Sequence, residues 1–350
     1  LYTFPAKLAR PLSVASEGRR LGANGVATSH HVVGPQNTRI RSQRLDIKLS
    51  DRVQRVKPSP TLAVTARAAE LRAAGKDVIG LGAGEPDFDT PDHIKDTAIT
   101  AIRNGMTKYT AVDGKPALKK AVIDKFERDN GLSYAPDQIL VSCGGKQSFF
   151  NLAQALLGEG DEVIIPAPYW VSYPDMVLLA DAQPVVVEAG IDQNYKILPQ
   201  QLEAAITAKT KLVVLNSPSN PTGVAYTGAE LAELGEVLRR HPQVLIATDD
   251  MYEHILWCDE PFSNIVMACP DLYPRTIVLN GVSKAYSMTG WRIGYAGGPA
   301  DLIKAMKKVQ SQSTSNPTSI SQAAAQAALE GDQTCVQTML KAFKQRHDFV

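Results

Sequence analysis

The chain has 350 residues, 44% of them hydrophobic and 21% charged, and a formal net charge of +1. That is the composition of a globular protein long enough for one large core or two domains. The near-neutral charge gives no electrostatic footprint for nucleic acid or a membrane surface, and no apolar run reaches the roughly 18 residues of a membrane-spanning helix. The four cysteines (Cys143, Cys258, Cys269 and Cys335) form no CxxC pair, and the six histidines show no ligand spacing. Neither a disulfide framework nor a metal site is therefore expected, and isolated thiols of this kind suit a reducing compartment.

Residues 1–44 stand apart. One Lys and six Arg face a single acid, Glu17, so the segment alone carries +6. Arg-rich, acid-poor composition fits an organelle transit peptide; the plainer reading is a disordered extension, or translated sequence upstream of the true start. The expected location is cytoplasmic, or an organelle if the segment is a transit peptide.

Ordered elements are predicted from about residue 45. "TLAVTARAAELRAAGK" has helical composition and stops at Gly75. "DVIGLGAGEPDFDTP" predicts a short strand and a Gly/Pro-rich turn. "PALKKAVIDKFERDN" spaces Leu118, Val122 and Phe126 four residues apart, one face of a helix. Then come seven apolar, β-branched runs: "QILVS", "DEVIIP", "PVVVE", "KLVVLN", "QVLIATD", "TIVLN" and "RIGYAG". Most lack the polar–apolar alternation of a strand with one wet face. Helical segments such as "KQSFFNLAQALL" and "GAELAELGEVLRR" separate several of them. This pattern predicts an α/β domain with a mostly parallel sheet covered on both sides by helices.

Ligands of such sheets bind beyond the carboxyl ends of the strands. Those ends deliver Gly144, Gly145 and Lys146, then Trp170, Asn220, Asp249 and Tyr252, and finally Ser283, Lys284 and Arg292. Two glycines ahead of a helix suit a phosphate, and Arg292 can add a bidentate partner. A desolvated lysine can bond an aldehyde. An aldehyde that also carries a phosphate is pyridoxal 5'-phosphate, whose ring nitrogen needs an acid, here Asp249. Tyr252 and Asn220 are placed to bond its phenolic oxygen and Trp170 to stack on its ring. Trp170 and Tyr252 also have plain readings as core and strand-end aromatics, and Ser283 as a small packing residue. A dehydrogenase-like domain is disfavoured, because "GLGAGEPDF" gives G-x-G-x-G with proline close behind and no helix opening.

"GVSKAYSMTGWRIG" resembles the pyridoxal-phosphate attachment site of class I aminotransferases of fold type I. "NSPSNPTG", "APYWVSYPDMV", "GAGEPDFDTP" and "KYTAVDGKPALKKA" resemble the bacterial-type aspartate aminotransferase branch, in that family's order. The likeness covers roughly residues 45–350. It implies a seven-stranded, mostly parallel sheet in a large domain over 92–330. It further implies a smaller α/β domain that takes residues 45–91 and begins again, incomplete, at 331–350.

Residue by residue, the resemblance makes Lys284 the lysine that bonds the cofactor and shuttles its proton. Asp249 becomes the partner of the ring nitrogen, and Gly144, Gly145, Lys146 and Arg292 the phosphate surround. Tyr109 would reach the phosphate of a neighbouring subunit, implying a homodimer with shared sites, and Gly84 would present its backbone to the substrate carboxylate. Lys146 has a second reading, as the cation for a substrate's distal carboxylate.

The implied activity is transfer of an amino group from aspartate or glutamate to a 2-oxo acid. Prephenate is a second candidate acceptor. The chain could also be a different pyridoxal enzyme of this fold, such as a C–S lyase, or a non-catalytic pyridoxal-binding regulatory domain. The family's arginine for the substrate α-carboxylate lies beyond "KQRHDFV". These 350 residues alone are therefore expected to bind cofactor weakly and transaminate poorly, and the full-length protein to be active.

Overall fold

Seven strands form a single sheet in the computed structural model, which describes residues 47–80, 82 and 84–350. The strands are β1 (Ile139–Ser142), β2 (Glu162–Ala167), β3 (Gln183–Glu188), β4 (Thr210–Asn216), β5 (Leu245–Asp249), β6 (Thr276–Gly281) and β7 (Gly294–Gly297). Their order across the sheet is β1-β7-β6-β5-β4-β2-β3. Only β7 runs against its neighbours, β1 and β6; the pairs from β6 to β3 are parallel. All seven strand expectations are met. The reading of residues 1–44 lies outside the described residues.

The missing alternation has a physical cause. Successive strand residues enter two different cores. On one face, Val213, Leu215, Ile246 and Val278 pack with Leu231, Leu234 and Leu238. On the other, Leu212, Val214, Ala247 and Ile277 pack with Phe149, Leu152 and Met306. Both faces are covered by helices, so both sets must be apolar. Burying each such aliphatic side chain contributes about 1.5–3 kcal/mol. β3 lies at the sheet edge and is half-exposed, with Val186 at 42%.

The helix Gly228–Arg240 opens with a capping box: Glu230 N–H donates to Thr227 Oγ1 at 3.1 Å, and Thr227 N–H donates to Glu230 Oε2 at 2.8 Å. The helix Pro116–Asn130 buries Leu118, Val122 and Phe126 completely, as their spacing requires.

One expectation differs from the structure. Asp77–Gly80 is not a strand: Ile79 is 83% exposed, and among the described residues no neighbouring strand supplies a ladder. The helix Pro60–Ala73 forms, but it buries none of its residues within this chain. Among the described residues, no helix is long and apolar enough to cross a membrane. Cys258 is exposed, whereas Cys269 is buried.

Candidate active site

The carboxyl ends of β1, β4, β5 and β6 converge on a cavity of about 570 Å³. Gly145, Lys146, Trp170, Asn220, Asp249, Tyr252, Ser283, Lys284, Arg292 and Gly84 all line it. These are ten of the residues that the sequence singled out, brought together from separate stretches of chain. Gly144 adjoins the lining through Arg292. Tyr109 is not in the lining; it is 92% exposed.

At one end, Gly144 turns the chain from β1 into the helix Gly145–Leu156 with a φ of +90°. A side chain there would overlap the Arg292 guanidinium. Arg292 itself donates from Nη1 to the Thr289 carbonyl at 2.8 Å and points Nη2 toward the Cys143 carbonyl at 3.4 Å. Gly294, just after it in β7, packs so closely on the Gly144–Gly145 backbone that a Cβ would strike Gly145 N. Close approach of three glycines therefore places a guanidinium beside a helix N-terminus. Both favour a phosphate dianion.

At the floor, β4 and β5 end in register, Asn216 opposite Asp249. Asp249 Oδ2 accepts from the Tyr173 hydroxyl at 2.6 Å, and Oδ1 accepts from Met251 N–H at 3.2 Å. Burial raises the Asp249 carboxyl above its ordinary range, while the Tyr173 and Met251 donors oppose the shift. Asn216 Nδ2 donates to the Asp249 carbonyl at 2.9 Å, and its Oδ1 accepts from Asn220 N–H at 2.8 Å. Asn220 Nδ2 then donates to the Tyr252 hydroxyl at 3.3 Å. Burial, with the Asp249 charge nearby, pushes the Tyr252 hydroxyl up to about 12, so it stays a donor at neutral pH.

Three residues past β6, Lys284 Nζ donates to the Gly84 carbonyl at 2.6 Å. Burial lowers the lysine's affinity for its proton; Glu85 opposes this and Arg292 reinforces it. On the opposite wall, Lys146 Nζ sits 5.1 Å from the centre of the Trp170 ring. Burial and Arg292 lower its pKa as well. The Trp170 ring stands edge-on to Tyr173, with centroids 5.2 Å apart.

The structure adds residues that sequence reasoning passes over. Tyr173 holds the buried acid, Asn216 orients both Asp249 and Asn220, and Thr289 links Arg292 to Glu85 through a short hydrogen bond. Tyr173 lies within "YWVSY", three residues after Trp170, and that spacing is its available signal.

Two amines with a weakened hold on their protons, one half-buried carboxylate and one anion cradle make a set suited to a phosphorylated aldehyde with a basic ring nitrogen. Residues 76–350 match the family model described as aminotransferase class I and II. The chain belongs to this aminotransferase family. It is 66% identical over 304 residues to the aspartate/prephenate aminotransferase of Nitrosomonas europaea, covering 87% of this chain and 77% of the relative. It is 63% identical over 302 residues to the aspartate/prephenate aminotransferase of Cereibacter sphaeroides, covering 86% and 76%.

Among solved structures, the aspartate aminotransferase from Rhizobium meliloti superposes with a TM-score of 0.84 at 51% identity, over 87% of this chain and 76% of that one. The Thermus thermophilus aspartate aminotransferase with maleate gives 0.83 at 45% identity, over 86% and 78%. The fold of this aminotransferase is thus fold type I, with the candidate cavity at the carboxyl edge of its sheet.

Proposed function

We propose that the protein is a pyridoxal 5'-phosphate-dependent aminotransferase that moves the amino group of aspartate or glutamate to a 2-oxo acid. The observation that carries this reading is the sharing of one cavity by Lys284, Asp249 and Arg292. The lining fits the cofactor group by group. Lys284 would bond its aldehyde carbon, Asp249 would face its ring nitrogen, Tyr252 and Asn220 its phenolic oxygen, and Trp170 its ring. Arg292, with the backbone of Gly144 and Gly145, would take its phosphate, and Ser283, also in the lining, would lie near it.

When bound, the cofactor supplies an electron sink that makes an amino acid's Cα–H acidic. Lys284, whose hold on its proton burial weakens, would take that proton at Nζ and return it to the former aldehyde carbon on the other side of the amino nitrogen. Asp249 would hold a proton on the ring nitrogen, with the Tyr173 hydroxyl orienting the carboxylate for it. Trp170 would pack over the ring.

Lys146, poised over Trp170, is the cation available to a distal carboxylate, which favours acidic substrates over neutral ones. The relatives named for aspartate and for prephenate, and the neighbour solved with the dicarboxylate maleate, support the same substrate class. Tyr109, exposed here, would complete the phosphate site of a second copy in a homodimer. In the domain division that accompanies this reading, residues 92–330 form the large domain, and 45–91 with 331–350 belong to the small one.

Amino transfer is tested with full-length protein, aspartate, 2-oxoglutarate and added cofactor. Glutamate and oxaloacetate should appear together in equal amounts. Prephenate offered as acceptor tests the second reading, suggested by the names of the relatives. Release of pyruvate with a thiol instead would point to a lyase, and cofactor binding without turnover to a regulatory domain.

A further inference from the structure

We propose that Glu253 is a positioning residue. Through Asn280, its buried carboxylate ties the turn carrying Tyr252 to the strand end leading into Lys284. The inference rests on the reading that this cavity holds the cofactor between those two residues.

β5 and β6 are parallel, with Asp249 opposite Leu279, and the last bond between them runs from Asp250 N–H to the Leu279 carbonyl at 2.9 Å. Beyond that bond the two chains part. One turns through Asp250–Glu253 and presents Tyr252; the other continues through Asn280 toward Lys284. Asn280 Nδ2 donates to Glu253 Oε1 at 2.8 Å across the gap. The other end of the Asn280 amide accepts from Gly281 N–H at 2.7 Å, which fixes its orientation. Asn280 is 2% exposed and Glu253 6% exposed.

The carboxylate is anchored from outside by the helix Pro116–Asn130. Lys125, 1% exposed, forms an ion pair with Glu253 and donates to Asn130 Oδ1 at 2.8 Å. Asn130 Nδ2 donates to Glu253 Oε2 at 2.8 Å. His254 Nε2 lies 3.3 Å from Glu253 Oε1 and 3.5 Å from Asp129 Oδ2. Burial raises the Glu253 carboxyl, but Lys125, His254 and the Asn130 donor outweigh it and keep the group ionised.

A buried ion pair is seldom the most stable filling for such a space; apolar side chains of like volume do as well or better. Its directional bonds fix one relative placement of the elements it joins. Here those elements end in two groups that must meet one cofactor, and a 1 Å error in such placement can cost roughly 100-fold in rate.

The test compares Asn280→Ala, which cuts the bridge to β6, with Asn130→Ala, which removes a bond of equal length to the other oxygen of the same carboxylate. Three quantities are read on the full-length holoenzyme: the thermal midpoint, the pH midpoint of the bound cofactor's visible absorbance, and kcat with KM. Both variants should lose similar stability. Asn280→Ala alone should move the absorbance midpoint by at least about half a pH unit and lower kcat roughly 10- to 100-fold with KM little changed. Equal effects in both variants, or no shift in Asn280→Ala, would overturn the proposal and leave the cluster as fold support. If Asn280→Ala does not fold, Asn280→Ser, whose hydroxyl is too short to bridge, carries the same expectation. Wild-type protein with no absorbance band would instead sink the cofactor reading itself.

Discussion

The Tyr173 hydroxyl donates to Asp249 Oδ2 at 2.6 Å, from a helix whose sequence position is 76 residues away. Tyr173 is 1% exposed, and burial raises its own pKa well above the ordinary phenol range, so it remains a donor. It therefore stabilises the ionised form of an acid that burial disfavours. Tyr173→Phe removes that stabilisation and should raise the Asp249 pKa further. The acid limb of the activity profile should then move to higher pH, because Asp249 is ionised only above its pKa. Measured kcat/KM against pH checks the direction. The lost bond to a charged partner should cost on the order of 1.5–3 kcal/mol of stability.

Gly144 is fixed by two independent demands, its φ of +90° and the guanidinium that would overlap a Cβ. Gly144→Ala should displace Arg292 and weaken cofactor affinity roughly tenfold or more, a loss above about 1.4 kcal/mol. Titrating the cofactor-free protein with pyridoxal 5'-phosphate measures it. Arg292→Lys should weaken binding too, because a single ammonium replaces a bidentate fork.

The legible part of the fold is the part whose chemistry is local. Val213 and Leu212 look alike in sequence because each meets an apolar core on its own face of the sheet. Strand ends can be read from the glycines, Asp249 and Lys284 that follow them. "DVIGL" misleads because an apolar run becomes a strand only if a neighbour completes its ladder, and Ile79 has none. Tyr173, Asn216 and Glu253 escape notice for another reason. Their bonds to Asp249, to the Asp249 carbonyl and to Asn280 span 76, 33 and 27 positions, and hydrogen bonds over such separations leave no periodic trace. The ten lining residues are legible because each stands at or just past a strand end or within a quoted motif; Tyr173 and Asn216 lie in such motifs too, but their role shows only in the bonds they make.

Lys146 Nζ lies 5.1 Å from the centre of the Trp170 ring, and the proposed function gives it the distal carboxylate of an acidic substrate. Lys146→Gln should raise KM for aspartate and 2-oxoglutarate about tenfold or more, and leave neutral amino acids within a factor of about three. A uniform loss across both classes would assign Lys146 to the phosphate end instead. Steady-state kinetics on paired acidic and neutral substrates distinguish the two.

Lys284 should titrate below the ordinary lysine range of about 10.5. Burial lowers its pKa, Glu85 raises it and Arg292 lowers it again. Glu85→Gln removes the one opposing charge, so the midpoint should fall further. The pH dependence of Lys284 acylation in cofactor-free protein, followed by peptide mass spectrometry, reads the shift. A midpoint that rises in Glu85→Gln would contradict the assigned cause.

The central claim is that Lys284 is the amine that bonds an aldehyde cofactor. Full-length protein is loaded with pyridoxal 5'-phosphate, reduced with borohydride and digested. A visible absorbance band that borohydride abolishes is expected, with the cofactor's mass on the peptide containing Lys284 and nowhere else. Stoichiometric label on Lys146 or any other lysine, or no band at saturating cofactor, would contradict it.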